Sequence, residues 1–194
     1  MAVTQQSNSS VPKPQKSAAQ RLWFLHWLMA VVYLVLFAGG FYMTDLPREV
    51  TYRGSLYDFH KTLGVVVMSL LLARISVLVG VVLHKYRRRL PKTTPHWWRM
   101  FALHVVLYTF MLLVPLSGYL FSNAYDKDVV IFGTGIALPP LIWANQALAE
   151  LGRNAHFWLS YTFLGCILLH GLQQQKYLRA IARRSYKAIA KTVT

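Results

Sequence analysis

The chain contains four long stretches with almost no charged side chains, and they constrain its fold more than any other feature. Each is close to or above the roughly 20 residues that an α-helix needs to cross the hydrocarbon core of a bilayer. Hydrophobic residues make up 55% of the 194 residues, which is too apolar for a soluble domain of this length. The sequence therefore predicts an all-α integral membrane protein, a bundle of four transmembrane helices at about residues 22–43, 60–83, 100–122 and 155–175.

The formal net charge of +15 is spread unevenly along the chain. Most Lys and Arg residues precede the first span, join the second and third, or follow the fourth, whereas every Asp and Glu lies in the other two connections. The positive-inside rule then predicts that both termini are cytoplasmic. The same rule explains the basic composition without nucleic acid, so we expect no nucleic-acid partner.

The sequence predicts one domain with a tail at each end. Residues 1–20 are polar and predicted to be disordered. Residues 21–180 form the predicted four-helix domain, and residues 181–194 a basic cytoplasmic tail. The connection 123–154 is predicted to be an outer loop, in which residues 141–151 form a short amphipathic helix lying flat on the membrane surface.

Five histidines fall at membrane depth in two layers. His60 and His156 belong to the outer layer, and the inner layer contains His26, His104 and His170. His156 and His170 are fourteen residues apart, so they share one helix face but differ in height by about 21 Å. Since a bond from imidazole to a metal ion is only about 2 Å long, they cannot share one ion and must belong to separate sites.

Two bis-histidine sites inside a four-helix bundle are the arrangement expected for two b-type haems. Zinc fits less well, because its sites usually have three or four protein ligands. At the inner level, depth alone leaves His26 and His104 as alternatives.

Arg74 lies on the same helix face as His60 at inner depth, and we expect it to contact a haem propionate or a quinone oxygen, or to snorkel to the headgroups. Five glycines occur where a flat ring would pass, and each equally fits ordinary close helix packing: Gly39, Gly40, Gly64, Gly118 and Gly165.

Five stretches of the chain resemble the bacterial cytochrome b561 family, relatives of the di-haem cytochrome b subunits of membrane hydrogenases and formate dehydrogenases. The resemblance covers about residues 19–180 and rests on RLWFLHWLMA, DFHKTLG, LHVVLYTFMLLVPLSGYLFS, FGTGIALPP and AHFWLSYTFLGCILLH. It implies a location in the bacterial cytoplasmic membrane. It also implies that His60 and His156 hold the outer haem and that His26 and His170 hold the inner haem. His104 then becomes a candidate for proton uptake at a quinone site.

The resemblance further implies that electrons pass between quinone and a second partner at the outer face. The outer partner is either superoxide, which would make the chain a quinone-reducing oxidoreductase, or a redox partner protein. Lys127 is a weak candidate for attracting an anionic donor, because Asp126 and Asp128 flank it. The alternative is a haem-bearing membrane anchor for a dehydrogenase or hydrogenase. A transporter with a histidine relay is a third hypothesis, which predicts a colourless protein.

Overall fold

The computed structural model describes residues 17–86 and 94–193 and is almost entirely helical there. The helices are α1 (Ala18–Asp45), α2 (Arg53–Tyr86), α3 (Pro95–Ala124), α4 (Gln146–Gln173) and α5 (Gln175–Val193). Two short antiparallel strands, β1 (Val129–Val130) and β2 (Ala137–Leu138), lie between α3 and α4. Helices α1 to α4 are long and apolar enough to cross a membrane, which confirms the predicted all-α membrane bundle.

Local sequence signals explain where three of these helices begin. Ser17 forms a capping box with Gln20 at the start of α1. Thr94 accepts a hydrogen bond from the backbone N–H of Trp97, and Pro95 occupies the first turn of α3. Asn145 accepts from the N–H of Leu148 and so caps α4. These side chains satisfy backbone donors that have no partner within the helix.

The structure overturns the predicted amphipathic helix at residues 141–151. Residues 141–145 are not helical, and the remainder forms the first turns of α4, which continues without a break into the fourth span. The reason is packing: Ala149 is completely buried, and Gly152 lies against Phe121 of α3. This segment therefore packs on the neighbouring helix instead of lying flat on the membrane.

The structure describes part of each predicted tail, and only the N-terminal part differs from the prediction. Residues 18–20, predicted to be disordered, form the first turn of α1. The rest of that tail, residues 1–16, lies outside the described residues. The C-terminal segment 181–194, predicted only as a basic tail, is helical up to Val193 as part of α5.

The core of the bundle lies at mid-height, where α1 and α4 meet through aromatic side chains. Phe163 is 1% exposed, and its ring centre is 5.1 Å from that of Tyr33 in an edge-to-face contact. Met29, Val67 and Leu71 are buried in the same cluster. Phe163 is seven residues from both His156 and His170, so this apolar core separates the two histidine layers.

Tyr33 also compensates for a proline inside α3. Pro115 has no N–H, so the carbonyl of Met111 one turn earlier loses its helical donor. The hydroxyl of Tyr33 donates to this carbonyl at 3.2 Å. The bond links α1 to α3 at the level of the core.

We expect Tyr33→Phe to lower the free energy of unfolding by about 1 kcal/mol, because it leaves the Met111 carbonyl without a donor. In a Pro115→Ala background the alanine N–H supplies that donor, and Tyr33→Phe should then cost much less. Unfolding of the four purified proteins in one detergent, followed by circular dichroism, measures the difference. An equal loss in both backgrounds would show that the hydroxyl has a different role.

Candidate functional site

The outer histidine layer joins α2 to α4. The ring centres of His60 and His156 are 6.5 Å apart, and their planes are nearly perpendicular at 85°. Two imidazoles that bind opposite sides of one metal ion, each through a bond of about 2 Å, have ring centres roughly 6.3 Å apart. The pair therefore has the separation that two imidazoles on opposite sides of one ion would require.

A large cavity lies beside this pair. It has about 900 Å³ of space free of protein atoms, including its open mouth, and apart from the two histidines its lining is mainly aliphatic and aromatic. Gly64 faces it, and a Cβ added there would meet nothing within 4 Å. Gly40 also lines the cavity, and a Cβ there would lie 3.5 Å from Cε1 of His60. An apolar lining with two convergent imidazoles fits a large flat cofactor.

The orientation of His156 is determined by α3. Its Nδ1 lies 2.9 Å from the carbonyl oxygen of Val114 and 3.2 Å from Oγ of Ser117. Because a carbonyl can only accept, Nδ1–H is the donor and Nε2 remains free to bind a metal. A backbone carbonyl on the second ring nitrogen is typical of metal-bound histidines. No local pattern in the sequence marks Val114 and Ser117, because only the contact between α3 and α4 brings them to His156.

Two glycines allow α3 and α4 to approach closely around His156. A Cβ on Gly118 would be 3.0 Å from Cε1 of His156, and one on Gly152 would be 2.7 Å from Cβ of Phe121. The ring of Phe121 in turn lies 5.4 Å from the imidazole, measured between centres. Gly118 thus makes room for the histidine itself, whereas Gly64 borders open space.

The inner layer contains three imidazoles. The ring centres of His26 and His170 are 6.3 Å apart with an angle of 72° between planes, whereas those of His104 and His170 are 5.5 Å apart. Nδ1 of His104 lies 2.6 Å from the carbonyl of Met100 on its own helix. The His26 and His170 pair therefore has the separation expected for one shared ion, and His104 lies too close to His170 by almost 1 Å.

Each layer also contains one buried ring nitrogen with no partner. Nδ1 of His60 and Nδ1 of His170 are buried without a hydrogen bond in the described part of the chain. Buried polar atoms are rarely left unpaired.

Within residues 17–86 and 94–193, no group of three or more His, Cys, Asp or Glu side chains could hold a metal ion. Because zinc sites usually have three or four protein ligands, the pairs fit a cofactor that brings its own equatorial ligands better than they fit zinc.

Arg74 connects three helices at the inner level. Its Nε donates to the hydroxyl of Tyr108 on α3, and its Nη1 donates to the carbonyl of Leu22 on α1, both at 2.8 Å. The guanidinium is also close enough to His26 to interact with it electrostatically. These bonds use two of the five N–H donors of the side chain, so others are available to a further acceptor.

The two residues that follow His60 in α2, Lys61 and Thr62, form hydrogen bonds with the backbone of the outer loop. Lys61 forms an ion pair with Asp58 at 3.2 Å and donates to the backbone carbonyl of Asp128 at 2.7 Å. Oγ1 of Thr62 accepts from the backbone N–H of Phe132 at 2.8 Å. These contacts place the β1–β2 hairpin beside the outer layer. Lys127 is exposed on this loop, next to Asp128.

Four apolar membrane-spanning helices with two pairs of facing imidazoles define a class, the membrane cytochromes that hold haem between histidines of a bundle. Comparison with known proteins identifies the family within this class. The chain belongs to the prokaryotic cytochrome b561 family, whose sequence profile matches residues 19–175. It is also 28% identical over 154 residues to Cytochrome b561 homolog 2 of Escherichia coli (strain K12), an alignment that covers 78% of this chain and 79% of that protein.

Membership of this family confirms the resemblance found in the sequence. The chain is therefore a b-type cytochrome that takes part in electron transfer and has haem b as its cofactor. It is a multi-pass protein of a bacterial membrane.

Proposed function

We propose that the chain binds two b-type haems and transfers single electrons between a donor at the outer face and membrane quinone. The outer haem would lie between His60 and His156, and the inner haem between His26 and His170. The observation that carries this assignment is the separation of the two pairs of rings, 6.5 Å and 6.3 Å between centres, at opposite ends of the same four helices.

Haem supplies a one-electron couple when bound, and the protein holds, spaces and insulates it. Two histidines per haem leave no open position at which oxygen would bind. The buried apolar core around Phe163 and Tyr33 lies between the two sites and would insulate them from each other. The rise from His156 to His170 is about 21 Å, and we expect the irons to be separated by a similar distance.

His104 is proposed to assist quinone chemistry without binding iron. Its Nδ1 proton is bonded to the Met100 carbonyl, which leaves Nε2 as the nitrogen able to accept or release a proton. Arg74 is the second candidate contact for a quinone oxygen or a haem propionate. With superoxide as donor, two superoxide ions would each lose one electron to form oxygen. The quinone would then take up both electrons and two protons.

Both termini are proposed to be cytoplasmic. Nε1 of Trp23 near the start of α1 donates to the hydroxyl of Tyr177 in α5 at 3.3 Å, so the two described ends of the chain lie at the same end of the bundle. The last part of α2 and the first part of α3 lie on this side too, since Arg74 bonds to Leu22 and Tyr108 there. The sequence that joins these two helices contains Arg87, Arg88, Arg89 and Lys92. The positive-inside rule supports a cytoplasmic assignment of this end.

A second candidate function is that of a haem-bearing anchor for a partner dehydrogenase or hydrogenase. Three large apolar side chains of the outer loop favour a protein partner there, since Ile136, Leu141 and Trp143 are 61%, 58% and 88% exposed. Copurification of a partner in a fixed ratio would support the anchor. Quinone reduction by the isolated chain with a simple donor would support the first proposal.

The proposed function predicts a coloured protein. We expect a dithionite-reduced minus air-oxidised spectrum of the detergent-purified chain to show sharp b-type bands, with two haems per chain by pyridine haemochrome assay. One haem per chain would contradict the two-site assignment. A preparation that stays colourless after expression with ample haem would reject the cytochrome and favour the transporter hypothesis.

A further inference from the structure

Helix α5 begins directly at the end of the fourth span. Only Gln174 separates it from α4, and the N–H of Gln174 lies 3.1 Å from the carbonyl oxygens of both His170 and Gly171. The N–H of Leu178 then bonds to the carbonyl of Gln174 at 3.0 Å. The bond from Trp23 to Tyr177 holds the first turn of α5 beside the start of α1. Because no flexible linker intervenes, α5 starts directly where the apolar fourth span ends.

The two faces of α5 differ in chemistry. Lys176, Arg179, Arg183 and Arg184 follow the spacing of one helix face, and all four are exposed. The opposite face contains Tyr177, Leu178, Ile181 and Ala182. Tyr177 and Leu178 are 50% and 39% exposed, so protein covers this apolar face only in part.

We propose that α5 lies flat on the membrane surface and that its basic face binds the headgroups of anionic lipids. Such a helix needs an apolar medium under one face and negative charge around the other, and the bilayer interface supplies both at one surface. Nucleic acid or an acidic protein would match the basic face but leave Tyr177 and Leu178 exposed. This lipid contact requires no haem and is separate from electron transfer.

The lipid dependence can be measured on the full chain in nanodiscs. Leu178→Cys, in a Cys166→Ala background that removes the cysteine in α4, reports whether the apolar face is accessible to a water-soluble maleimide. We expect slower labelling in discs rich in phosphatidylglycerol than in pure phosphatidylcholine, and high salt should reduce the difference. Ala180→Cys, on the basic side, is the matched reporter and should label readily in both.

Charge variants test whether the basic face causes the protection. In the double variant Arg183→Gln and Arg184→Gln, phosphatidylglycerol should slow the labelling of Leu178→Cys less, by about fivefold for each charge removed. Arg48→Gln together with Arg153→Gln removes the same charge from exposed positions at the other end of the bundle and should change nothing. Equal labelling of Leu178→Cys in both lipids, or an equal effect of the two charge pairs, would overturn the proposal. So would protection that appears only after a soluble protein is added.

Discussion

Replacing His156 with alanine should reduce the haem content from two to one per chain and leave the inner haem in place. The variant removes the one outer imidazole whose Nδ1 is fixed by the Val114 carbonyl, and His60 alone provides a single axial bond. The inner pair is retained because His26 belongs to a different helix and His170 lies about 21 Å away along α4. His60→Ala should have the same effect. Pyridine haemochrome assay per chain and a reduced-minus-oxidised spectrum measure both outcomes.

The matched control for this variant is His104→Ala, which removes an imidazole from the same bundle without removing a proposed ligand. It should retain two haems per chain. A His156→Ala protein that still contains two haems would refute the outer assignment. Loss of both haems would mean that the sites assemble cooperatively. In that case His156→Met tests whether residue 156 is a ligand of the outer haem. A thioether ligand at this position should keep the haem and raise the reduction potential of the outer site alone.

The second large effect concerns the inner layer, where the sequence left His26 and His104 as alternatives until the family resemblance favoured His26. We expect His26→Ala to lose the inner haem, because only His26 lies at the separation from His170 that one shared iron requires. The ring centre of His104 is 5.5 Å from that of His170, which is about 0.8 Å less than the 6.3 Å between the ring centres of His26 and His170.

Haem content and redox titration of His26→Ala and His104→Ala in parallel test this choice. His26→Ala should show one haem and one reduction step, and His104→Ala should show two of each. The reverse result would make His104 the ligand and leave His26 as the proton carrier. Retention of the inner haem in both variants would indicate that either histidine can serve as the second ligand, and equal loss would show that the site needs both side chains.

Much of this architecture follows from the sequence because the signals involved are local. A run of about 20 apolar residues crosses a bilayer wherever it occurs, so the four spans can be recognised without knowing what they pack against. The order of the spans then gives each histidine a depth, which separates His60 and His156 from His26, His104 and His170. The fourteen-residue spacing in α4 requires two sites instead of one.

Other features depend on contacts between residues far apart in the chain, and hydropathy cannot reveal them. Residues 141–151 have the composition of an interfacial helix, yet burial of Ala149 and the contact of Gly152 with Phe121 make most of this segment the beginning of α4. The carbonyl that orients His156 belongs to Val114, 42 residues earlier. Likewise, nothing local connects Tyr33 with the carbonyl that Pro115 leaves unpaired.

The sequence by itself determined the class of the protein, the number of its spans and the two layers of histidines, because apolar length and helical period are properties of each segment alone. Only the tertiary structure decided how the rings are oriented, which nitrogen of His156 remains free, and how close His26 and His104 each lie to His170. These depend on how neighbouring helices rotate and approach each other, and that is settled by side-chain packing across the whole bundle.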